Sequence, residues 1–548
     1  MRLFLKKISL GLAAACLLGA APWVAAANNQ ASPLGTNTNE VSEDDSSVPF
    51  IDLFRAALPF ADARPWLTGP NVQLDGDGWP ARLNGQIAGT RFLSNLPGAA
   101  IPSGQYIVLY DGQGKIQFGG DAKLVSAQPG REIIDLQPGS DNKFDATLRI
   151  TESAPNNYVR NIRILPPDGV CTNNPFKRAP NRSVCPGNYQ AFEDNYEQQI
   201  FNPDYLNYMK DFKAIRYMNF SGVSNDPRSS WNQRNKVTDA TWGGKQGTRG
   251  APIEIQVELA NRVNAHPWFT IPHAADNNYV TQFAQLVKQR LRPNLKPHIE
   301  YSNETWNFIF LQGNYVRDMG MARRLDSNKN RAGYRFYSER SVEIFKIWAS
   351  VFGGSQRLVR ILSGWTIDTK VTETILTHKN AYKYADAFAI GPYFFGDHQS
   401  IQGVRSLDQA FRLLTDDQYR YSINNVLEFV KKQSDVVAKY NLPLMAYEGG
   451  QGLVDFKTTD DMQMPNPILY QANRHPQMAT FYGRFLNGWA QDGNTTLFMH
   501  YSSPRTYRRY GSWGSKEYVS QPTSQAPKHQ ALLNFINSRP CWWSGCRQ

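Results

Sequence analysis

Cysteine is scarce in this chain: five in 548 residues, one of them Cys16 within the first 27. The four others cannot organise a fold of this length, so a disulfide-built scaffold is excluded and an apolar core must do the work. Long apolar runs are lacking as well. Beyond residue 27 no segment reaches the roughly 18 apolar residues that a membrane-crossing helix needs. Runs of one charge are also missing. Lys and Arg number 59 against 47 Asp and Glu, a formal net charge of +12, but the excess is scattered. Net charge alone does not indicate a nucleic-acid partner, and the same excess suits an anionic surface or polymer equally well.

Several chemical signatures are absent too. No phosphate-binding glycine motif opens a strand–helix unit, which argues against a nucleotide or dinucleotide cofactor. There is no Gly-x-Ser-x-Gly elbow and no His-Glu-x-x-His, which argues against ester, lipid or peptide hydrolysis. No histidine-rich stretch accompanies the cysteines, and Asp75-Gly76-Asp77-Gly78 lacks the full spacing of a calcium loop. Neither a metal nor an organic cofactor is expected. No repeat of solenoid period is visible.

Aromatic residues, by contrast, are plentiful, with 13 Trp, 26 Tyr and 29 Phe in a chain that is 41% hydrophobic. That composition excludes general disorder. Residues 1–27 read as a secretory signal peptide: Arg2, Lys6 and Lys7 precede an apolar, small-residue stretch with cleavage sites near Ala26 and Ala27. A secreted or periplasmic protein of a bacterium is expected, with no lipid anchor at Cys16 and no membrane insertion of the mature chain. Cys171 with Cys185, and Cys541 with Cys546, form two close pairs that read as local disulfides of an oxidising compartment.

Residues 28–48 are polar and without periodicity and read as a flexible linker. Residues 49–69 follow, with an apolar segment near Ile51–Leu53. From 70 to 195 short alternating runs broken by turns indicate an all-β module. From 196 to 530 strand candidates alternate with helices: Ala214–Asn219, Pro267–Ile271, Lys296–Ser302, Leu358–Leu362, Ala387–Ile390, Leu444–Tyr447 and Thr496–Tyr501. Alternation of this kind builds a parallel sheet. With Ile51–Leu53 as the first strand the count reaches the eight of a (β/α)8 barrel, with the β module inserted after that strand. The expected class is therefore α/β, a TIM barrel with an additional all-β module; the competing architecture is an open doubly wound sheet. Residues 531–548 form a C-terminal disulfide clasp, with Trp542 and Trp543 expected against the barrel exterior.

Two strand candidates run into carboxylates. His298–Trp306 reads HIEYSNETW, and Leu444–Gly450 reads LMAYEGG. Barrel sites assemble at the C-terminal ends of different strands, so Glu304 and Glu448 are placed to face one cleft. Glycosidic cleavage asks for such a pair, one carboxyl giving a proton to the leaving oxygen and the other attacking the anomeric carbon or activating water. Glu300, four residues before Glu304, lies deeper and is expected to pair with a strand arginine, Arg216 or Arg360.

On these motifs, residues 200–515 resemble the retaining glycoside hydrolases of clan A. Asn303-Glu304 and Tyr447-Glu448 match the family's acid/base motif after strand four and its nucleophile after strand seven. The chain is also similar to secreted bacterial proteins loosely labelled cellulose-binding, through its SNETWN and YEGG contexts. The resemblance implies that Glu304 is the acid/base and Glu448 the nucleophile. It further implies that Arg216 and Tyr393 support the nucleophile, and that Asn303 binds the sugar hydroxyl beside the reacting carbon.

Around that centre, His273 and Asp276 after strand three are candidates for the cleft lining. His500 and Tyr501 at the end of strand eight are candidates for sugar contact, and Trp306, Trp365 and Trp513 for stacking on pyranose rings. The function these features imply is cleavage of O-glycosidic bonds in a β-linked polysaccharide. The alternative is a binding protein on a glycosidase scaffold.

Overall fold

The computed structural model describes residues 29–67, 72–539 and 541–546. The expected signal peptide lies outside the described residues, apart from which the chain forms an α/β barrel with antiparallel sheets beside it. Eight parallel strands close on themselves: β1 Leu34–Asn37, β2 Ala214–Arg216, β3 His266–Ile271, β4 His298–Tyr301, β5 Val359–Ser363, β6 Ala387–Ile390, β7 Leu444–Ala446 and β8 Thr495–His500. Each pairs with the next, and Leu34–Thr36 lies beside Phe498–His500 to complete the circle.

The seven strands after residue 200 fall where apolar alternation with helices places them. They are buried on both faces, β8 along its entire length, as a parallel sheet under helices must be. The covering helices each bury one face. In Ile423–Ala438, Val426, Val430 and Val437 turn inward, and Ser422 caps the start by accepting from the Asn425 amide. The 24-residue helix Lys329–Phe352 is capped by Asn328 and stops at Gly353, whose φ of 79° suits a glycine.

The first strand is not where sequence periodicity puts it. In the stretch expected to be a linker, residues 29–48 are ordered into the barrel: Leu34, Thr36 and Thr38 are completely buried, and Leu34–Asn37 is the barrel strand. The segment near Ile51–Leu53 instead leads into a short 3-10 turn, Leu53–Ala56, capped by Asp52. The cause is local chemistry. Strand β1 is only four residues, LGTN, so an apolar period cannot register. Its glycine is required by close approach, since a Cβ at Gly35 would lie 2.2 Å from Met499 Sδ and 2.8 Å from the Ala214 carbonyl. Its asparagine is fully bonded, Asn37 Nδ2 donating to the Tyr447 carbonyl at 3.1 Å and the His500 carbonyl at 3.3 Å.

Between β1 and β2 the chain builds two four-stranded antiparallel sheets. One runs in the order Ala61–Asp62, Ala88–Pro97, Lys143–Ser153, Gly114–Gly120; the other in the order Arg160–Leu165, Gly104–Asp111, Arg131–Leu136, Ala122–Gln128. A three-stranded sheet follows, held by the Cys171–Cys185 disulfide. Module and barrel share one apolar core, through contacts such as Phe50 against Trp242 and Phe54 stacked on Trp79. The second disulfide, Cys541–Cys546, sets Trp543 against residues lining the barrel interior rather than its exterior. Among the described residues no helix is long and apolar enough to cross a membrane.

Candidate active site

At the C-terminal ends of the strands one guanidinium organises a polar cluster. Arg216 closes β2 with no exposure. Its Nε donates to Glu300 Oε2 at 2.9 Å, and its Nη1 to Glu448 Oε2 at 3.1 Å and to Asn37 Oδ1 at 3.1 Å. Its Nη2 donates to Asn303 Oδ1 at 3.0 Å. A buried arginine must satisfy its donors, and here four acceptors on or directly after three strands, β1, β4 and β7, do so. Burial opposes its charge, but Glu300 and Glu448 more than restore it and hold its pKa above the ordinary range. Below the cluster, Trp268 Nε1 donates to the same Glu300 oxygen at 2.9 Å. Glu300 is thus the deep partner of Arg216, while Arg360 pairs with Asp386.

Each of the other two carboxyls has its own tyrosine. Tyr393 Oη donates to Glu448 Oε1 at 3.0 Å, and Tyr447 Oη donates to Glu304 Oε1 at 3.1 Å. Glu304 Oε2 accepts from Asn307 Nδ2 at 3.0 Å. The segment carrying Glu304 departs from ordinary backbone: Ser302 has φ 60° and Glu304 φ 43°, a left-handed region that costs non-glycine residues roughly 1–2 kcal/mol each. Surrounding bonds hold it there, from the Asn307 amide to the Glu304 carbonyl at 2.9 Å and from Gln312 Nε2 to the Asn303 carbonyl at 2.9 Å. This backbone at Ser302 and Glu304 accompanies a Glu304 side chain directed to the Tyr447 hydroxyl.

Electrostatics separates the two carboxyls. Burial raises both pKa values, and the charge of Glu304 raises that of Glu448 further. Arg216 and the Tyr393 hydroxyl act in the opposite direction on Glu448. Glu304 has only the neutral donors Asn307 and Tyr447 in direct contact. The two carboxyls therefore titrate as a coupled pair, and of the two only Glu448 is in direct contact with a cation.

Tyr501 and Trp513 continue this surface. Tyr501 Oη accepts from Asn219 Nδ2 at 2.9 Å, and its ring meets Tyr393 at 6.3 Å and Trp513 at 5.7 Å. Gly511, against the Trp513 ring, borders a cavity of about 420 Å³ also lined by Glu40, Asp44, Arg505 and Tyr510. On the Glu304 side, Trp306 and Trp365 stack at 5.5 Å with an interplanar angle of 11°, and Trp365 is 38% exposed.

Three other expected residues are placed as follows. His500 is fully buried, 3.3 Å from Tyr482 Oη, and burial pushes its pKa down to about 3. Strand parity explains this: Leu497 and Met499 face the barrel interior, while Phe498 and His500 face the outer helix Gln477–Gln491. His500 therefore cannot touch sugar. Asp276 is exposed and caps helix Asn277–Arg290, accepting from the Tyr279 amide at 2.7 Å. His273 is buried with its ring edge on Tyr315, and its carbonyl accepts from Tyr301 Oη at 2.8 Å.

Sequence reasoning assigned no part to Tyr447, Asn37, Asn307 or Trp268. Tyr447 shares inward parity with Met445, a signal that was legible. Asn37 was not, because its strand has no apolar pattern. Among the described residues no group of three or more His, Cys, Asp or Glu side chains is arranged to hold a metal.

No family model matches the chain, and no curated protein sequence matches it. Among solved structures, the chain is similar to a 4-O-α-L-rhamnosyl-β-D-glucuronidase from Fusarium oxysporum 12S, at 12% identity and TM-score 0.38, over 60% of this chain and 64% of that one. It is similar to a Bacteroidetes-affiliated GH5 cellulase at 11% identity and TM-score 0.37, over 62% of this chain and 90% of that one. A GH10 structure from Paenibacillus barcinonensis aligns at 10% identity and TM-score 0.34, over 60% and 89%. These are likenesses of fold at low identity.

Proposed function

We propose that this protein is a secreted retaining glycoside hydrolase acting on a β-linked polysaccharide, with Glu304 as general acid/base and Glu448 as nucleophile. The observation that carries the reading is the asymmetry of the two carboxyls: Glu448 is held by Arg216 and Tyr393, while Glu304 has only neutral donors. In the first step a Glu448 oxygen bonds to the anomeric carbon as the glycosidic bond breaks, and the Glu304 proton passes to the leaving oxygen. In the second step the Glu304 carboxylate takes a proton from water, whose oxygen displaces Glu448 and regenerates both groups.

Arg216 keeps Glu448 ionised before attack and gives it a good leaving position afterwards. Asn303, fixed by Arg216 and by Ser224 at 3.3 Å, serves the hydroxyl next to the reacting carbon. Trp306 with Trp365, and Trp513 with Tyr501, give flat faces on the two sides of the carboxyls for neighbouring sugar rings.

The test is hydrolysis of a broad panel of polysaccharides by the wild type, Glu304→Ala and Glu448→Ala, with product mass and anomeric configuration followed. Turnover with retained configuration, lost in both variants, is the expected result. Substantial turnover by Glu448→Ala contradicts the nucleophile assignment. Saturable glycan binding that neither substitution changes, without turnover, makes the protein a binding module.

A further inference from the structure

The barrel has a second mouth, at the N-terminal ends of its strands and away from the carboxyls. A cavity of about 310 Å³ opens there, walled by Lys213, His266, Lys296, His298 and Trp543. Four of the side chains on its wall are bases, and among the described residues none on its wall is an acid. Topology gathers them: Lys213 immediately precedes β2, His266 opens β3, and Lys296 and His298 lie at the start of β4. These three strands are neighbours in the barrel.

Lys213 and His298 are almost wholly buried. The Lys213 ammonium donates to the Gln30 carbonyl at 2.8 Å, a neutral partner. Burial, and then the charge of Lys296, push its pKa down to about 8. His298 stacks on Trp268 at 5.5 Å, and its Nδ1 lies 3.2 Å from the Lys296 carbonyl. Asp386, the acid that acts on His298 from outside the cavity, is itself held by Arg360 through two contacts of 2.8 Å. Burial pushes the His298 pKa down to about 4, so the charges that oppose one another here are those of Lys213 and Lys296, and a bound anion relieves their repulsion. The Trp543 indole, carried by the Cys541–Cys546 loop, lines the wall together with Val359, Met445 and Leu497.

We propose that this basal cavity is a binding site for an oxyanion (a phosphate, sulfate or carboxylate group) held between Lys213 and Lys296 beside Trp543. The volume admits either a free inorganic ion or an anionic monosaccharide, and the same chemistry recognises both. The site lies at the opposite end of the barrel from Glu304 and Glu448, so its test does not depend on the proposed hydrolysis.

The full chain is titrated with sodium phosphate at constant ionic strength, chloride making up the balance, while thermal unfolding and tryptophan fluorescence are followed. A saturable rise in Tm of about 2 °C or more and a saturable change in fluorescence are expected. Lys296→Met is expected to weaken phosphate binding about tenfold or more, as loss of a charge-assisted contact does. Lys213→Met is expected to do the same if it folds, and the exposed Lys370→Met to bind as the wild type does. The Cys541→Ser/Cys546→Ser variant is expected to lose the fluorescence response. Glucuronate and glucose 6-phosphate form the comparison arms: tighter binding than phosphate assigns the site to an anionic sugar, equal or weaker binding to the free ion. A response that chloride reproduces, that does not saturate, or that Lys296→Met retains in full overturns the proposal.

Discussion

Tyrosine hydroxyls on the two carboxyls offer a test in which similar substitutions have separable effects. Tyr393→Phe removes the 3.0 Å hydrogen bond to Glu448, and Tyr447→Phe removes the 3.1 Å bond to Glu304. A hydrogen bond to a charged group contributes about 1.5–3 kcal/mol, and one pKa unit corresponds to about 1.4 kcal/mol. Loss of the Tyr393 bond therefore raises the Glu448 pKa by about one to two units, since the bond acts to lower it. The proposed mechanism requires ionised Glu448, so the acidic limb of the pH–kcat/KM profile moves up and the profile narrows.

Loss of the Tyr447 bond raises the Glu304 pKa in the same way. The proposed mechanism requires protonated Glu304, so here the basic limb moves up and the profile broadens. In the Tyr393 variant kcat/KM at the wild-type optimum falls about 10- to 100-fold, the equivalent of about 1.4–2.7 kcal/mol. The assay is initial-rate hydrolysis from pH 4 to pH 10 with a substrate found in the glycan panel. Movement of the basic limb by Tyr393→Phe, or of the acidic limb by Tyr447→Phe, refutes the assignment of roles.

Three further outcomes follow from particular contacts. Gly35→Ala puts a Cβ 2.2 Å from Met499 Sδ and 2.8 Å from the Ala214 carbonyl, so thermal or denaturant unfolding should show a loss of about 1–3 kcal/mol; an unchanged stability would contradict the placement of β1. Asp45 is buried, which raises its pKa to about 7 from 3.8. The folded chain thus holds a proton that the unfolded chain releases, and this contribution is present below pH 3.8 and lost as pH rises through about 7. Asp45→Asn should flatten the fall of Tm over that window, and an undiminished fall would show that Asp45 is ionised throughout. Trp365→Ala, at a side chain 38% exposed, should raise KM about 2- to 10-fold with little change in Tm; an unchanged KM would remove it from the substrate surface.

What the sequence disclosed and what it hid divide along physical lines. Seven barrel strands were legible because a strand buried under helices is an apolar run, and because helices of one apolar face separate those runs. Glu304 and Glu448 were legible because each follows such a run by one to three residues. Leu34–Asn37 was hidden because its stability comes from neighbours: Gly35 is chosen for close approach and Asn37 for its bonds, and neither choice leaves a pattern. The same loss hid Asn37 as an Arg216 acceptor. His500 was misplaced by proximity, since it ends a strand at the right mouth of the barrel but on the wrong parity. Trp543 was set on the exterior because nothing in Cys541–Cys546 shows that the loop reaches the barrel floor.

Covalent trapping tests the central claim most directly. A 2-deoxy-2-fluoro glycoside with a good leaving group, built on the sugar that the panel identifies, should accumulate a glycosyl–enzyme, because fluorine slows both steps while the activated leaving group restores the rate of the first. Peptide mass spectrometry should find one sugar per chain, attached to Glu448, and none in Glu448→Ala. Stoichiometric labelling at Glu304 or Glu300, or turnover with inverted configuration and no adduct, would contradict the account.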